Sequence, residues 1–316
     1  MIKVQSSQYG SRLSASLFLR KCIQQKWLLL MIIPGVVVLL LLHYLPIYGI
    51  QIAFKNYNMG LGIEGSKWAG LKWFQTFLRN PFAPRLFRNT ILLGVYSLAW
   101  AFPIPIILSI FINELRGSKF KRTVQTISYI PHFISTVVVV GLLKELCATD
   151  GFLNKILLSL NGKTISFFSN PSWFRTLFIS STVWQEAGWN SIIFLAALTN
   201  VDPQMYEASY IDGANRWQRI WSITLPSILP TVIILFILNV GKMLNMDFQK
   251  IMLMYNPLTY ETADIIATYT YRESFENMRY SYSAAVDLFM SVISFVFLIG
   301  ANQLVKWVSD DSNSLF

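Results

Sequence analysis

The densest group of polar and aromatic residues within an apolar stretch lies between positions 184 and 190. Its members are Trp184, Gln185, Glu186, Trp189 and Asn190. In a later apolar stretch, polar residues recur at spacings of three, at Asn239, Lys242 and Asn245. Ionisable side chains are costly to place in lipid and usually face a cavity or a partner. These residues could therefore line a pathway for a polar solute, or they could hydrogen-bond one helix to another.

A second polar group occupies residues 202–226, between two long apolar stretches. Asp202 followed by Pro203 is typical of a helix start, with Asp as N-cap and Pro at the first helical position. Gly213 permits a left-handed backbone and therefore a sharp change of direction after Asp212. The sequence predicts two short helices at an angle, with polar contacts left at Glu207, Asp212, Arg216 and Arg219. Aromatic residues at helical spacings should rest against the apolar part of the chain: Tyr206, Tyr210, Trp217 and Trp221.

The composition indicates that most of the chain lies in lipid. Of its 316 residues, 54% are hydrophobic and only 13% are charged, whereas a soluble domain carries about 25% charged residues. The net charge of +10 could suggest nucleic acid, but the basic residues flank apolar stretches and no basic-aromatic platform occurs. Contact with anionic membrane lipid is the better interpretation, and no nucleic-acid partner is expected.

Six apolar stretches are long enough to cross a bilayer, since a spanning helix needs about 20 mainly apolar residues. The first begins at Trp27, with no charged residue before Lys55. The others cover about 89–113, 123–143, 176–200, 226–246 and 284–308. Pro103 and Pro105 should kink the second, and Pro131 lies near the start of the third. The predicted fold is all-α, a polytopic membrane protein with six transmembrane helices.

The distribution of basic residues favours cytoplasmic N- and C-termini. Residues 1–26 carry five basic residues and no acid, with an amphipathic helix predicted over 11–26. The short second loop, near Arg116 and Lys119, is also basic. The long first loop is basic too, but long loops cross the membrane largely regardless of charge. The expected organisation is therefore a cytoplasmic segment at 1–26, a membrane domain at 27–308 with longer external segments at about 50–88, 144–175 and 247–283, and a cytoplasmic tail at 309–316.

Several kinds of site are not predicted. Cys22 and Cys147 are far apart and indicate neither a disulfide nor a metal site. His43 and His132 lie in or beside apolar stretches, where a helix-interface hydrogen bond is more common than a ligand role. No nucleophile–base constellation is evident, so no catalytic residue is expected. No G-x-x-x-x-G-K-[ST] phosphate loop occurs, so this chain itself should bind neither ATP nor another cofactor.

The loop at 202–226 resembles the EAA loop of permease subunits in bacterial ATP-binding-cassette (ABC) importers. The matching residues are Glu207, Ala208, Asp212, Gly213, Ala214, Ile223, Leu225 and Pro226. Ser209 stands where that family usually has a second alanine, a small-for-small change. The resemblance implies that this loop is a coupling helix that sits in a groove of a separate cytoplasmic ATPase. It also implies that Glu207 pairs with a basic residue of that ATPase.

The resemblance covers nearly the whole chain. Its six-span layout is similar to that of carbohydrate importers typified by the maltose importer. The stretches 255–264 and 268–272 resemble a subgroup that handles oligosaccharides from complex polysaccharides, with alginate and pectin-type importers nearby. This implies oligosaccharide import by alternating access at the bacterial cytoplasmic membrane. Implied partners are a second homologous permease, two ATPase subunits that hold ATP and Mg, and an extracytoplasmic solute-binding protein.

Under this interpretation, the polar residues of the fourth and fifth stretches become candidates for the sugar pathway. They are Trp184, Gln185, Glu186, Trp189, Asn190, Asn239 and Lys242. Sugar sites combine a few hydrogen-bonding groups with aromatic faces. Two other classes remain open. One is an ion-coupled secondary transporter, with Glu186, Lys242 or Asp287 carrying the coupling charge, although no persuasive internal repeat is visible. The other is an integral-membrane enzyme.

Overall fold

The computed structural model describes residues 25–308. The predicted N-terminal amphipathic segment, Cys22 and the tail at 309–316 lie outside the described residues. The first helix, α1 (Lys26–Phe54), is a single apolar rod, and residues 25–48 are all exposed. Only its C-terminal end packs on the rest of the chain. It leads into a small antiparallel hairpin, β1 (Lys55–Asn58) and β2 (Ser66–Trp68), with Lys55 opposite Trp68.

Two elements follow the hairpin: the short helix α2 (Lys72–Leu78) and the long helix α3 (Ala83–Glu114). The α-helical hydrogen bonding of α3 is interrupted at Phe102, immediately before Pro103. Proline has no N–H to donate and its ring crowds the preceding turn, so the hydrogen bonding is interrupted at the place where Pro103 and Pro105 predict a kink.

The prediction of one continuous helix for the third span is wrong, because the structure has two helices there that meet at a sharp bend. Helix α4 (Ser118–Tyr129) passes through a 3₁₀ turn at Ile130–Phe133 and meets helix α5 (Thr136–Leu146) at an angle of 96°. Pro131 removes a backbone donor within this turn. Ser135 then caps the new helix, because its hydroxyl accepts a hydrogen bond from the N–H of Val138 at 3.4 Å.

A short helix, α6 (Phe152–Ser159), precedes the long regular α-helix α7 (Pro171–Thr199). Helix α8 (Pro203–Ile211) follows, and then α9 (Arg216–Lys242), which contains a π turn at Ile220–Thr224. Four short elements come next: α10 (Phe248–Met254), a 3₁₀ turn at Pro257–Thr259, a helical turn at Tyr260–Ala263, and α11 (Ile266–Tyr271). The last element of the described residues is α12 (Tyr280–Val308).

Several helix ends differ from the predicted limits. The fourth helix begins at Pro171 rather than near residue 176, because Asn170 caps it and Pro171 provides the first turn. The fifth ends at Lys242 rather than near residue 246. The sixth begins at Tyr280 rather than near residue 284. Hydropathy detects the apolar centre of each helix but not the polar turns added at its ends.

Four helices of the described residues are long and apolar enough to span a membrane: α1, α3, α9 and α12. The bent pair α4–α5 makes a fifth if it counts as one span. Helix α7 has the necessary length, but it carries Arg175 and Glu186 and does not meet the same test of apolarity. The prediction of six crossings therefore depends on α7.

Residues 55–82, 147–170 and 243–279 pack together at one end of the helices, and we refer to them as the cap. Asn80 donates hydrogen bonds to the hydroxyls of Tyr269 and Tyr282 at 2.7 and 3.1 Å. Asn256 donates to the carbonyl of Phe168 at 2.8 Å. Phe77 is 1% exposed and lies in a hydrophobic cluster with Tyr269 and Tyr282. The aromatic residues of the first predicted external segment thus contribute in part to this core.

A buried carboxylate joins the cap to α3. Asp264 is 1% exposed, and its side chain accepts hydrogen bonds from Arg272 at 2.8 Å and from Thr268 at 2.8 Å. Arg85 of α3 lies 3.5 Å from the same carboxylate. The backbone carbonyl of Asp264 accepts a hydrogen bond from Asn89 of α3 at 2.9 Å. Much of the 255–272 stretch, singled out by resemblance, is therefore occupied with contacts inside the protein.

Arg272 is held strongly in its charged form. Burial alone would lower the pKa of Arg272, but its hydrogen bonds to Asp264 and Tyr255 outweigh that effect and raise the pKa above its usual value. The guanidinium also lies over the ring of Tyr260, 4.8 Å from the centroid. Arg272 therefore stays charged across the range of pH in which proteins are studied.

The substitution Asp264→Asn tests this junction. It leaves Arg272, whose side chain is only 16% exposed, without its carboxylate partner. Breaking a buried ion pair by removing one member costs about 3 to 5 kcal/mol. We therefore expect D264N to lower the Tm of the detergent-purified protein by several degrees. The exposed Glu276 offers the matched control E276Q, and equal Tm values for the two variants would contradict the assigned role.

Candidate functional site

The turn between α8 and α9 is held by its own backbone. Asp202 caps α8 by accepting a hydrogen bond from the N–H of Gln204 at 2.9 Å, as predicted. At the other end, Gly213 has φ +75°. The N–H of Gly213 donates to the carbonyl of Tyr210 at 3.2 Å, and the N–H of Ala214 donates to that of Ser209 at 2.9 Å. These two bonds form a Schellman motif, which ends a helix and reverses the chain.

Arg219 connects the two sides of this turn. It is 6% exposed, its Nη1 donates to the carbonyl of Ala214 at 2.7 Å, and its guanidinium lies 4.0 Å from the ring centroid of Tyr210. Thr224 lies 3.0 Å from the hydroxyl of Tyr206, hydroxyl to hydroxyl. The first turn of α9 is closed by a capping box between Asn215 and Gln218. The loop is therefore a compact unit rather than a simple connection.

The exposed surface of this unit carries the residues of the predicted motif. Glu207, Ala208, Asp212 and Gly213 are exposed, and Ala214 is half-buried. Ile211 between them is 88% exposed, an unusual position for a large apolar side chain. Leu225 is half-buried and Pro226 is exposed at the start of the apolar part of α9.

The prediction of one aromatic face is wrong, because the four residues divide into two pairs. Tyr206 and Tyr210 make contacts within the loop. Trp217 and Trp221 are 64% and 69% exposed, and they border an apolar groove against the second half of α3. The turn at Gly213 separates the pairs, so a helical spacing counted across it does not describe one surface.

A polar cavity of about 230 Å³ lies between α3, α7 and α9. It brings together residues from the two polar clusters of the sequence. Glu186 and Asn190 come from α7, whereas Asn239 and Lys242 come from α9. Its remaining polar walls include Ser97, Thr182, Asn245 and Asp247, and its aromatic walls are Phe102 and Phe178. This arrangement can hydrogen-bond a polar solute against aromatic surfaces.

The bend between α4 and α5 is tied to α7 beside this cavity. The Nδ1 of His132 lies 3.0 Å from Oε2 of Glu186. The His132 ring stacks on Trp189, with centroids 4.4 Å apart and planes at 4°. The side-chain amide of Gln185 donates to the carbonyl of Ile134 at 3.0 Å. Of the predicted pathway residues, Gln185 and Trp189 thus contact protein groups, and Glu186 also reaches the cavity.

Gly188 allows α4 and α7 to touch at this bend. A Cβ atom at this position would overlap the carbonyl oxygen of Ser128. Only glycine therefore permits the close approach of the two backbones. The isolated glycine in an apolar helical stretch was a signal for such a contact, but its partner could not be read from the sequence.

One remaining pathway candidate, Trp184, and one unpredicted residue, Lys250, lie nearby. Trp184 lies outside the polar cavity and borders a second, larger cavity between α3 and α7. Lys250 of α10, which the sequence did not single out, is 1% exposed. Its amine donates to Thr182 at 3.2 Å and to Gln185 at 3.4 Å. From sequence alone, a lysine in a moderately apolar segment is expected to be solvated. Its burial follows only from the packing of α10 against α7.

Comparison with known proteins decides the family. Residues 78–310 match the family described as binding-protein-dependent transport system inner membrane component. The chain belongs to this family of permeases. The permease is 44% identical over 284 residues to protein LplB of Bacillus subtilis (strain 168), covering 90% of the permease and 89% of that protein. It is also 44% identical over 287 residues to the polygalacturonan/rhamnogalacturonan transport system permease protein YteP of the same strain, covering 90% and 89%.

Solved structures agree with this assignment. A crystal structure of a bacterial ABC transporter involved in the import of the acidic polysaccharide alginate matches the permease with a TM-score of 0.84 and 36% identity, over 93% of the permease and 99% of that chain. A structure of the bacterial alginate ABC transporter in complex with an alginate pentasaccharide-bound periplasmic protein matches with a TM-score of 0.84 and 37% identity, over 92% and 98%. The resemblance to carbohydrate ABC importer permeases and the all-α permease fold are confirmed.

The contact at Gly188 can be tested by Gly188→Ala. The added methyl forces α4 and α7 apart, and overpacking of this kind costs about 1 to 3 kcal/mol. We expect G188A to lower the Tm of the purified permease. Gly300 of α12 has nothing within 4 Å of its Cβ position, so G300A is the matched control. A G188A protein as stable as G300A would show that the close approach is not required.

The role of Arg219 can be tested by hydrogen exchange. Replacing it with methionine removes a hydrogen bond from a charged donor, which contributes about 1.5 to 3 kcal/mol. We expect amide exchange at Gly213 and Ala214 to accelerate by about tenfold or more in R219M. Arg216 lies in the same turn but is exposed, so R216M should exchange at the original rate. Identical protection in both variants would exclude Arg219 as the brace of the loop.

Proposed function

We propose that this chain is the membrane permease subunit of an ATP-driven importer that moves oligosaccharides across the bacterial cytoplasmic membrane. One observation carries the proposal. The loop at 202–226 is braced by its own hydrogen bonds and exposes Glu207, Ile211 and Asp212 at the end of α7 remote from the cap. A surface of this kind suits a partner that grips it, and we assign that partner as a separate ATPase that holds ATP and Mg.

The braced loop provides a route for force. Arg219 and the Schellman motif resist bending between α8 and α9, so a push on α8 is passed to α9. Since α9 contributes Asn239 and Lys242 to the polar cavity, movement of the loop alters the cavity walls. ATP binding can shift the permease between inward-open and outward-open states only if the ATP-bound ATPase binds one of these two states more tightly than the other.

The assembly needs further components. A second homologous permease completes the pathway, two ATPase subunits engage the coupling loops, and an extracytoplasmic solute-binding protein delivers the sugar. A related transporter crystallised with its periplasmic protein supports the last assignment. In this arrangement α7 and the bent pair α4–α5 are membrane crossings, both termini are cytoplasmic, and the cap faces the solute-binding protein. Membrane lipid surrounds α1.

The sugar pathway passes through the polar cavity. Glu186, Asn190, Asn239 and Lys242 supply hydrogen-bonding groups, and Phe102 and Phe178 supply apolar faces. Carbohydrate as the substrate class is supported by the relatives, among them a polygalacturonan/rhamnogalacturonan permease and an alginate importer. Gln185 and Trp189 act here by holding the wall in place, because both are engaged by neighbouring protein groups.

Coupling is tested by substitutions in the exposed loop. Glu207→Ala removes the acidic contact, and Gly213→Pro is incompatible with the left-handed backbone. We expect both variants to insert into the membrane normally but to bind the ATPase weakly and to lose most sugar-stimulated ATP hydrolysis. Glu276→Ala, an exposed glutamate in the cap and remote from the loop, is the control and should bind the ATPase normally. Normal stimulation in both loop variants would overturn the proposed function.

Uptake into vesicles reconstituted with the complete transporter distinguishes this function from ion-coupled transport. Uptake should require ATP inside the vesicle lumen that holds the ATPase, and it should persist when a proton ionophore is present. Uptake that stops with the ionophore and continues without ATP would instead identify a secondary transporter.

A further inference from the structure

The larger cavity beside Trp184 differs in character from the polar cavity. It has a volume of about 700 Å³, within the range of small-molecule sites. It is open to the surroundings and lies between the first half of α3 and the N-terminal half of α7. Its aromatic walls are Tyr96, Trp100 and Trp184, its apolar walls are aliphatic, and its charged residue is Arg175.

Arg175 lacks a carboxylate partner among the described residues. Its Nη2 donates to the side-chain oxygen of Asn89 at 3.0 Å. Its Nε is buried without a hydrogen-bond partner in the described part of the chain. By contrast, Arg85 and Arg272 lie within ion-pair distance of Asp264. The side chain of Tyr96 is a second hydrogen-bond partner. Arg175 is therefore positioned by an amide and a phenol, and no carboxylate among the described residues lies within ion-pair distance of it.

The surroundings of Arg175 favour an anion. The exposed Arg88 and the exposed Glu261 act on it with opposite signs, and Arg88 has the larger effect. Helix α7 begins at Pro171, one turn earlier. The N-terminus of a helix of this length carries a partial positive charge and attracts anions. Ser172, in that first turn, adds a hydroxyl to the cavity wall.

The aromatic residues specify more than an anion. Trp100 is 59% exposed and Trp184 is 51% exposed, so both indole surfaces are accessible from the cavity side. A site that combines flat apolar surfaces with one guanidinium fits a ring that carries a carboxylate. Guanidinium and carboxylate can then form charge-assisted hydrogen bonds.

We propose that this cavity, centred on Arg175, binds a uronate residue of an acidic oligosaccharide, with the carboxylate on Arg175 and the sugar ring against Trp100 and Trp184. This rests on the proposed function, because it identifies the class of oligosaccharide that the permease accepts. The site is distinct from the polar cavity, which lies on the other side of the contact between α3 and α7 and contains both acidic and basic groups. Arg175 thus determines selectivity for acidic over neutral chains.

Direct binding to the complete transporter tests the site. The complex is placed in phosphatidylcholine nanodiscs without its solute-binding protein, and tryptophan fluorescence is titrated with trigalacturonate or with its fully methyl-esterified form. We expect the acid to bind at least about tenfold more tightly than the ester, the size of effect that one charge-assisted interaction supports. In R175Q this preference should disappear, and in R175K it should be partly retained.

Controls keep the outcome clear. Arg79 is exposed in the cap, so R79Q should keep the full preference for the acid. Size-exclusion chromatography shows whether R175Q and R175K remain folded. Equal affinity for acid and ester in the unsubstituted protein, or an unchanged preference in R175Q, would overturn the proposal. A second titration uses nanodiscs that contain phosphatidylglycerol. If the cavity is a site for a lipid headgroup instead, it will bind that lipid and show no affinity for trigalacturonate in either kind of nanodisc. That outcome also refutes the proposal.

The two proposals fail separately. If neutral oligosaccharides stimulate ATP hydrolysis but acidic ones have no advantage, the uronate site is wrong and the import function stands. If no oligosaccharide stimulates hydrolysis and E207A behaves like the unsubstituted permease, the import function itself is wrong.

Discussion

The buried carboxylate of Asp264 is the interaction on which the arrangement of the permease depends. It receives Arg272 and Thr268 from the cap and lies close to Arg85 of α3. The backbone carbonyl of Asp264 accepts a hydrogen bond from the side-chain amide of Asn89. The side-chain oxygen of Asn89 in turn accepts one from Arg175 of α7. A charge this deeply buried is tolerated only when it is fully paired. The network therefore holds α3, α7 and the cap in one relative position.

Helix α7 transmits that position along the molecule. At 29 residues and about 1.5 Å per residue, it reaches from the cap to the coupling loop. Along its length it contacts α4 at Gly188, the bend between α4 and α5 at Gln185, and α10 through Lys250. It is also the long helix whose polar residues need protein rather than lipid around them. Residues of this one helix line both cavities.

The two ends of the molecule have different mechanical designs. The cap is joined by contacts between residues distant in sequence, such as Asn80 with Tyr269 and Asn256 with Phe168. The coupling loop is joined by contacts within 202–226, such as Arg219 with Ala214. A unit closed by local bonds can move as a body, whereas the cap cannot shift one segment without breaking bonds to another. This difference agrees with the proposed roles, in which the loop receives force from an ATPase and the cap faces a solute-binding protein.

The sequence by itself determined the features that depend on near neighbours. Apolar length indicated the membrane helices, Asp202 and Pro203 marked the start of α8, and Gly213 predicted the left-handed turn, since capping and φ preferences act over a few residues. Even the separation of Trp184 from Glu186 was implicit, because residues two apart on a helix point to nearly opposite sides. What each side faces was decided only by the tertiary structure.

The contact between Gly188 and Ser128 and the hydrogen bond between Arg175 and Asn89 arise from packing between segments far apart in the chain. Such contacts reflect which surfaces fit together after the local elements have formed. A single sequence contains no periodic pattern that reveals which surfaces fit together. By contrast, helix capping and membrane-spanning length can be read from neighbouring residues.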